Sequence, residues 1–127
     1  MDAYKTHGAF SWCELMTSDP QAAADFYGKL LGWTFDTMEM GMGPYRVVKA
    51  ADTSIGGVMG MPPDGGPMPP MWGCYVTVQD VDATVAQCTA LGGKVCMPQT
   101  DIPGVGRMAV LQDPQGAVFN VITYASS

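Results

Sequence analysis

Sliding the sequence along itself by 61 residues, without gaps, brings its punctuation into line. Cys13 meets Cys74, Asp19 meets Asp80 and Ala22 meets Ala83. Leu30 meets Leu91, Gly32 meets Gly93, Gly43 meets Gly104, Arg46 meets Arg107 and Asp52 meets Asp113. The matches hold one register and include turn-type residues, the trace that a duplicated supersecondary unit leaves. The run PPDGGPMPP, Pro62 to Pro70, separates the copies. The expected organisation is therefore module one over 8–61, a linker over 62–70 and module two over 71–125. Two copies on a short linker imply a site shared between the halves.

The local pattern is the same in each copy. Residues 9–17 (AFSWCELMT) read as a strand that ends at a polar stop. Asp19 and Pro20 open a helix. Ala23, Phe26, Tyr27, Leu30 and Leu31 recur at helical spacing, and Gly32 closes it. Strand-like stretches follow at Trp33–Met38, Tyr45–Ala50 and Ile55–Met61. In the second copy, Met71–Val78 is a strand and Asp80 opens a helix. Lys94–Met97, Arg107–Gln112 and Val118–Tyr124 are strands, with a tight turn at Asp113–Gly116. Each half is β-α-β-β-β. One such half exposes an apolar sheet face, so the expected architecture is an α+β fold of two paired βαβββ modules. They would share a curved mixed sheet, a cup with helices on its outer side.

Composition narrows the function. At 127 residues with 47% apolar content, the chain makes one globular domain with a real core. Its net charge of −6 argues against nucleic acid and against anionic membranes. It shows neither a membrane-length apolar run nor the leader pattern of a secreted protein, so a cytoplasmic setting is expected. Cys13, Cys74, Cys88 and Cys96 make no CxxC and no zinc-type pairing, and are expected as buried reduced thiols. Nucleotide-binding GxGxxG and Walker patterns are absent. A single histidine, His7, rules out any strong hydrolase triad.

Three stretches, WCELMTSDPQAAADFYGKLLGWTF, VTVQDVDATVAQCTALGGKV and DPQGAVFNVI, together resemble the vicinal oxygen chelate superfamily. It includes glyoxalase I, bleomycin-resistance proteins, fosfomycin-resistance enzymes and extradiol dioxygenases. The resemblance covers nearly the whole chain and implies a single domain of glyoxalase/bleomycin-resistance type over 1–127. It also implies a homodimer. The scaffold carries isomerases, transferases, dioxygenases and binding proteins, so the reaction must be argued from the site.

In metal-dependent members, one divalent cation is held by His, Glu or Gln from one inward position on each of four strands. Carried onto this chain, those positions fall on Trp12 of the first strand, Gly73 of the fifth and Asn120 of the last. The repeat register assigns the fourth, Asn120's counterpart, to Met59. Indole, hydrogen, carboxamide and thioether do not make a ligand set for such an ion. His7 lies five residues before Trp12, roughly 16 Å along a strand, and reads as an exposed residue. The expectation is no metal and no cofactor.

Alternation along strands puts Phe10, Trp12 and Glu14 on the cup face, with Met59, Gly73, Tyr75 and Asn120. Such a lining suits a flat or apolar small molecule fixed by a few polar contacts. Glu14 is the candidate catalytic residue, a general acid or base with a raised pKa among aromatic neighbours. Two plainer readings stay open: Trp12 and Met59 fill the cup as core, or Glu14 pairs with Arg46 or Arg107 or reaches solvent at the rim. Arg46 and Arg107, at matching positions, are candidate partners for acidic groups. Met38, Met40 and Met42 are candidates for a flap. The leading expectation is a metal-independent, drug- or small-molecule-binding protein. The alternative is a glyoxalase-like lyase or isomerase, either metal-free through Glu14 or metal-dependent under a different register.

Overall fold

The computed structural model describes residues 1–39, 44–61 and 69–125. Met40 and Met42 of the expected flap, and 62–68 of the expected linker, lie outside the described residues. The element order is β1 (Phe10–Thr17), α1 (Pro20–Leu31), β2 (Thr34–Glu39), β3 (Pro44–Ala50) and β4 (Thr53–Gly60). Then come β5 (Met71–Thr77), α2 (Val81–Ala90), β6 (Lys94–Ile102), β7 (Gly106–Gln112) and β8 (Val118–Tyr124). The chain is an α+β protein of two βαβββ modules. It divides into two compact units, Trp12–Gly73 and Met1–Ser11 with Cys74–Ser127.

In the unit Trp12–Gly73 the strand order is β2-β3-β4-β1. β4 pairs antiparallel with β3 and parallel with β1, where Glu14 meets Gly57 and Met16 meets Met59. The core is Leu15, Val48 and Val58, with Ala23 and Tyr27 of α1 and the side chains of Trp33 and Phe35 packed on it. The helix buries less than its apolar pattern implies. Ala23 and Tyr27 pack, but Phe26, Leu30 and Leu31 are 58%, 63% and 52% exposed. One helix lying on one sheet covers a single stripe, and these three side chains fall outside it.

In the other unit the order is β5-β8-β7-β6, with β5 parallel to β8. Val78, Val81, Val85, Ala109, Leu111 and Val121 form its core, joined by Cys88 and Phe119. β6 runs to Ile102, past the expected end at Met97, with register shifts on either side of Met97. It is an edge strand, which is why it tolerates Pro98 without a donor to give.

The 61-residue register is a physical one. Asp19 accepts from the Ala22 N–H at 3.0 Å and Asp80 from the Ala83 N–H at 3.2 Å. Each cap satisfies an orphan helix donor and contributes about 1 kcal/mol. Arg46 on β3 donates to Gln21 in the first turn of α1 at 2.9 Å. Arg107 on β7 donates to Asp82, the equivalent residue of α2, at 2.9 and 3.1 Å. Both arginines thus tie the third strand of a module to its helix. Arg107 also reaches Asp101 at 2.9 Å, so it has acidic partners as expected. Among the described residues Arg46 shows none: its partner is the neutral amide of Gln21.

The cysteines correct the sequence reading. Cys13, Cys74 and Cys96 are exposed and Cys88 is half-buried; none is in a disulfide. Cys13 and Cys74 lie outside both packed clusters, and Cys96 sits on the exposed edge strand β6.

Candidate functional site

The face of the first unit opposite α1 carries a short hydrogen-bonded chain. Leu15 and Val58 point to the helix side, so their neighbours Glu14 and Gly57 point the other way. There the Trp12 indole N–H donates to the Tyr45 hydroxyl at 3.0 Å, and that hydroxyl donates to Glu14 Oε2 at 2.8 Å. All three residues are half-buried. Gly57 is what makes room: a Cβ there would collide with the Tyr45 hydroxyl and ring. Donors run in one direction and end on a carboxylate, which as an ion can only accept.

Tyr45 was missed by sequence reasoning, because the repeat pairs it with Gly106 and attaches no meaning to it. The available signal was Gly56-Gly57 inside a strand, which marks a close approach of another group. Glu14 is also corrected in one respect. Glu14 accepts from Tyr45, while Arg46 and Arg107, read as its possible partners, each bond the helix of their own module.

The remaining candidates fall in different surroundings. Met59 is half-buried beside Met16 in the ladder, and Gly73 is half-buried as the third residue of β5. Phe10, which groups with the second unit, is 73% exposed. In that unit Tyr75 is only 7% exposed and lies opposite Asn120 in the ladder. Met108 and Ile122, a cross-strand pair on the same face, are buried with it. Asn120 donates its Nδ2 hydrogen to the Cys74 carbonyl at 3.3 Å. His7 is exposed, and its Nδ1 accepts from the Gln79 N–H at 3.0 Å, a structural use of the ring.

At the end of β8, Tyr124 shares a 2.7 Å hydrogen bond with Ser11 and stands edge-on to Tyr4 with centroids 4.9 Å apart. Partial burial raises its pKa above the ordinary tyrosine value of 10.0, the Ser11 bond opposing this in part. Above that ordinary value the unfolded chain releases the phenol proton while the folded chain keeps it, so stability falls as pH rises. The loss is complete once pH passes the folded pKa. Urea unfolding at stepped pH values from 9 to 11.5 should show this fall in the wild type and a shallower one in Tyr124→Phe. Equal slopes would contradict the assignment.

The ladders correct one part of the metal-position assignment. Glu14 and Tyr75 are equivalents at 61 residues; Glu14 pairs with Gly57 and Tyr75 with Asn120. The counterpart of Asn120 in the ladder is therefore Gly57, not Met59. The register breaks because the hairpins differ. Ala50 pairs with Thr53 across two residues, whereas Gln112 pairs with Val118 across five. The bulge at Val48/Lys49 takes back one residue of that difference. Strand alternation keeps 57 and 59 on one face, so Met59 stays on the face assigned to it.

The correction makes the donor set poorer still. Trp12, Gly57 and Gly73 have no side-chain lone pair to give, and Asn120 offers one carboxamide oxygen. Among the described residues there is no group of three or more His, Cys, Asp or Glu side chains that could hold a metal ion. These residues do not fit the family's divalent cation.

Residues 9–121 match the family model Glyoxalase/Bleomycin resistance protein/Dioxygenase superfamily. The chain is 47% identical over 116 residues to the protein named "Putative glyoxylase CFP32" of Mycobacterium bovis, covering 91% of this chain and 44% of the relative. It is 37% identical over 127 residues to "Anthracycline biosynthesis protein DnrV" of Streptomyces peucetius, covering 90% of this chain and 46% of that one. It thus spans less than half the length of either relative. The fold matches that of hypothetical protein BH1468 from Bacillus halodurans, with a TM-score of 0.73 at 7% identity, over 96% of this chain and 98% of that one. No helix among the described residues is long and apolar enough to cross a membrane. With two βαβββ modules, a family model spanning both and a relative at 47% identity, the chain belongs to the Glyoxalase/Bleomycin resistance protein/Dioxygenase superfamily.

Proposed function

We propose that this protein binds a flat, largely apolar small molecule without a metal, and that Trp12, Tyr45 and Glu14 supply the orienting polar contacts. The observation that carries the reading is the Trp12–Tyr45–Glu14 chain lying over Gly57, the ladder counterpart of Asn120. An aromatic surface with one carboxylate suits a planar ligand carrying a donor or a positive charge. The naming of a relative for the biosynthesis of anthracyclines, which are flat fused-ring aromatics, is consistent with that class. Four cysteines without a disulfide agree with a reducing, cytoplasmic setting.

A second reading is favoured by the 2.8 Å bond from Tyr45 to Glu14. A half-buried carboxylate held by a phenol is placed for proton transfer, so the same site serves a metal-free lyase or isomerase with Glu14 as base.

A thermal-shift screen of planar aromatic compounds in excess EDTA tests the reading. A ligand at a hundred times its Kd stabilises the folded state by about 2.7 kcal/mol, several degrees in Tm. Glu14→Gln is expected to weaken a cationic or donor-bearing hit by at least about tenfold. A screen without hits, or hits that require added metal, would overturn it. If turnover is found, unchanged rates in Glu14→Gln would remove Glu14 from the chemistry.

A further inference from the structure

We propose that the pocket between the turn before β1 and the ends of β5 and β8 is a second binding site, for a small planar carboxylate. It lies in the unit Met1–Ser11 with Cys74–Ser127 and shares no residue with the Trp12–Tyr45–Glu14 chain. Its volume is about 230 Å³, and its lining includes Tyr4, Lys5, Thr77, Gln79, Thr123 and Tyr124.

The walls are fixed before any ligand arrives. The turn that carries Tyr4 and Lys5 is tied down on both sides. The Thr77 hydroxyl donates to the Ala3 carbonyl at 2.6 Å, and the Gly8 N–H donates to the Thr77 carbonyl at 2.7 Å. His7 Nδ1 takes the Gln79 N–H at 3.0 Å. Across the pocket the Thr123 hydroxyl donates to the Val78 carbonyl at 2.7 Å, and Tyr4 meets Tyr124 edge-on. A pocket ordered in advance spares the ligand that cost.

Charge selects the ligand. Among the described residues, Lys5 is the one charged side chain in the lining, and no carboxylate pairs with its ammonium. Asp2, the nearest carboxylate along the chain, takes the Tyr4 N–H at 3.1 Å. Both threonine protons are spent on carbonyls, so the donors facing a ligand are the Lys5 ammonium, the Gln79 carboxamide and the Tyr124 phenol. Either oxygen can donate in the 2.7 Å bond between Ser11 and Tyr124. With Ser11 donating, the phenol proton goes to the ligand. An ammonium with two neutral donors suits a carboxylate, which as an ion only accepts. This polarity is the reverse of that at Glu14. Size and lining set the rest of the molecule. A cavity of about 150 Å³ holds benzene. This one therefore admits a single ring with its carboxylate, and Tyr4 and Tyr124 offer it aromatic surface.

A ¹H–¹⁵N NMR titration of the full chain with sodium benzoate, at constant ionic strength, tests the proposal. Saturable shifts are expected at the Gln79 and Tyr124 amides, with a Kd on the order of 1 mM, while the Trp12 indole N–H stays unmoved. Lys5→Gln should weaken benzoate binding at least about tenfold. Benzamide, which keeps the ring but carries no charge, should bind the wild type more weakly than benzoate by a similar factor. Lys94→Gln removes an exposed cation of the same unit that does not line the pocket, and should bind benzoate as the wild type does. The same spectra show whether each variant is folded, and the benzamide comparison needs no variant. Shifts that fail to saturate, benzamide binding equal to that of benzoate, or a Lys5→Gln loss no larger than that of Lys94→Gln would each overturn the proposal. Shifts of the Trp12 indole in place of the Gln79 and Tyr124 amides would put benzoate in the first site and overturn it as well.

Discussion

Replacing Gly56 with alanine is expected to destabilise the protein by about 3 kcal/mol, at the upper end of what overpacking a core costs. The same change one residue later, at Gly57, should cost about 1–2 kcal/mol, at the lower end of that range. The two glycines are adjacent on β4 but face opposite ways. A Cβ on Gly56 would run into the backbone carbonyl of Cys13, its partner in the parallel β1–β4 ladder. That oxygen cannot retreat without prying the two strands apart. A Cβ on Gly57 would meet the outer end of the Tyr45 side chain, which can swing away. Swinging it breaks both the Trp12 and Glu14 hydrogen bonds. Gly57→Ala should therefore keep most of its stability yet lose roughly tenfold in ligand affinity, about 1.4 kcal/mol. Urea unfolding and ligand titration on both variants check this. Equal stability losses, or an unaffected affinity in Gly57→Ala, would contradict the placement of Tyr45.

The second large effect is expected at Leu111. It is 1% exposed and packs among Val78, Val81, Val85, Ala109 and Val121. Leu111→Ala removes apolar contacts and leaves a cavity walled by β-branched side chains that cannot easily collapse into it. The cost should be about 3 kcal/mol, within the 2–5 range such truncations give. Against a total stability of roughly 5–15 kcal/mol, this lowers Tm by about 10 °C. Leu91→Ala, at a position 71% exposed, should stay within about 0.5 kcal/mol of wild type. A loss below about 1 kcal/mol at Leu111 would mean that α2 does not seal this core.

Much of the fold is legible in the sequence because the duplicated residues do the same physical work twice. Asp19 and Asp80 cap equivalent helices, and Arg46 and Arg107 clamp those helices to equivalent strands. Alternation along β1 correctly separates Leu15 from Trp12 and Glu14. What a gapless comparison misses is the hairpin length. A two-residue and a five-residue turn shift β8 against β4, so Asn120 answers to Gly57. Tyr45 was hidden for a different reason: its meaning lies in a contact across two strands, and only the glycine beneath it announces that contact. The exposure of Phe26, Leu30 and Leu31 is not legible in their helical spacing, because periodicity reports apolar positions, not which of them a neighbour covers. Glu14, expected among aromatic neighbours, accepts a hydrogen bond from the Tyr45 phenol.

The proposed function rests on a hydrogen-bonded Trp–Tyr–Glu chain that holds its ligand without a divalent cation. Elemental analysis of protein purified without chelator, from cells grown with added zinc, nickel, manganese and iron, tests it most directly. The account predicts far less than one equivalent of any of these metals per chain. One equivalent of bound metal, retained through gel filtration and released only by denaturation or strong chelation, would contradict it.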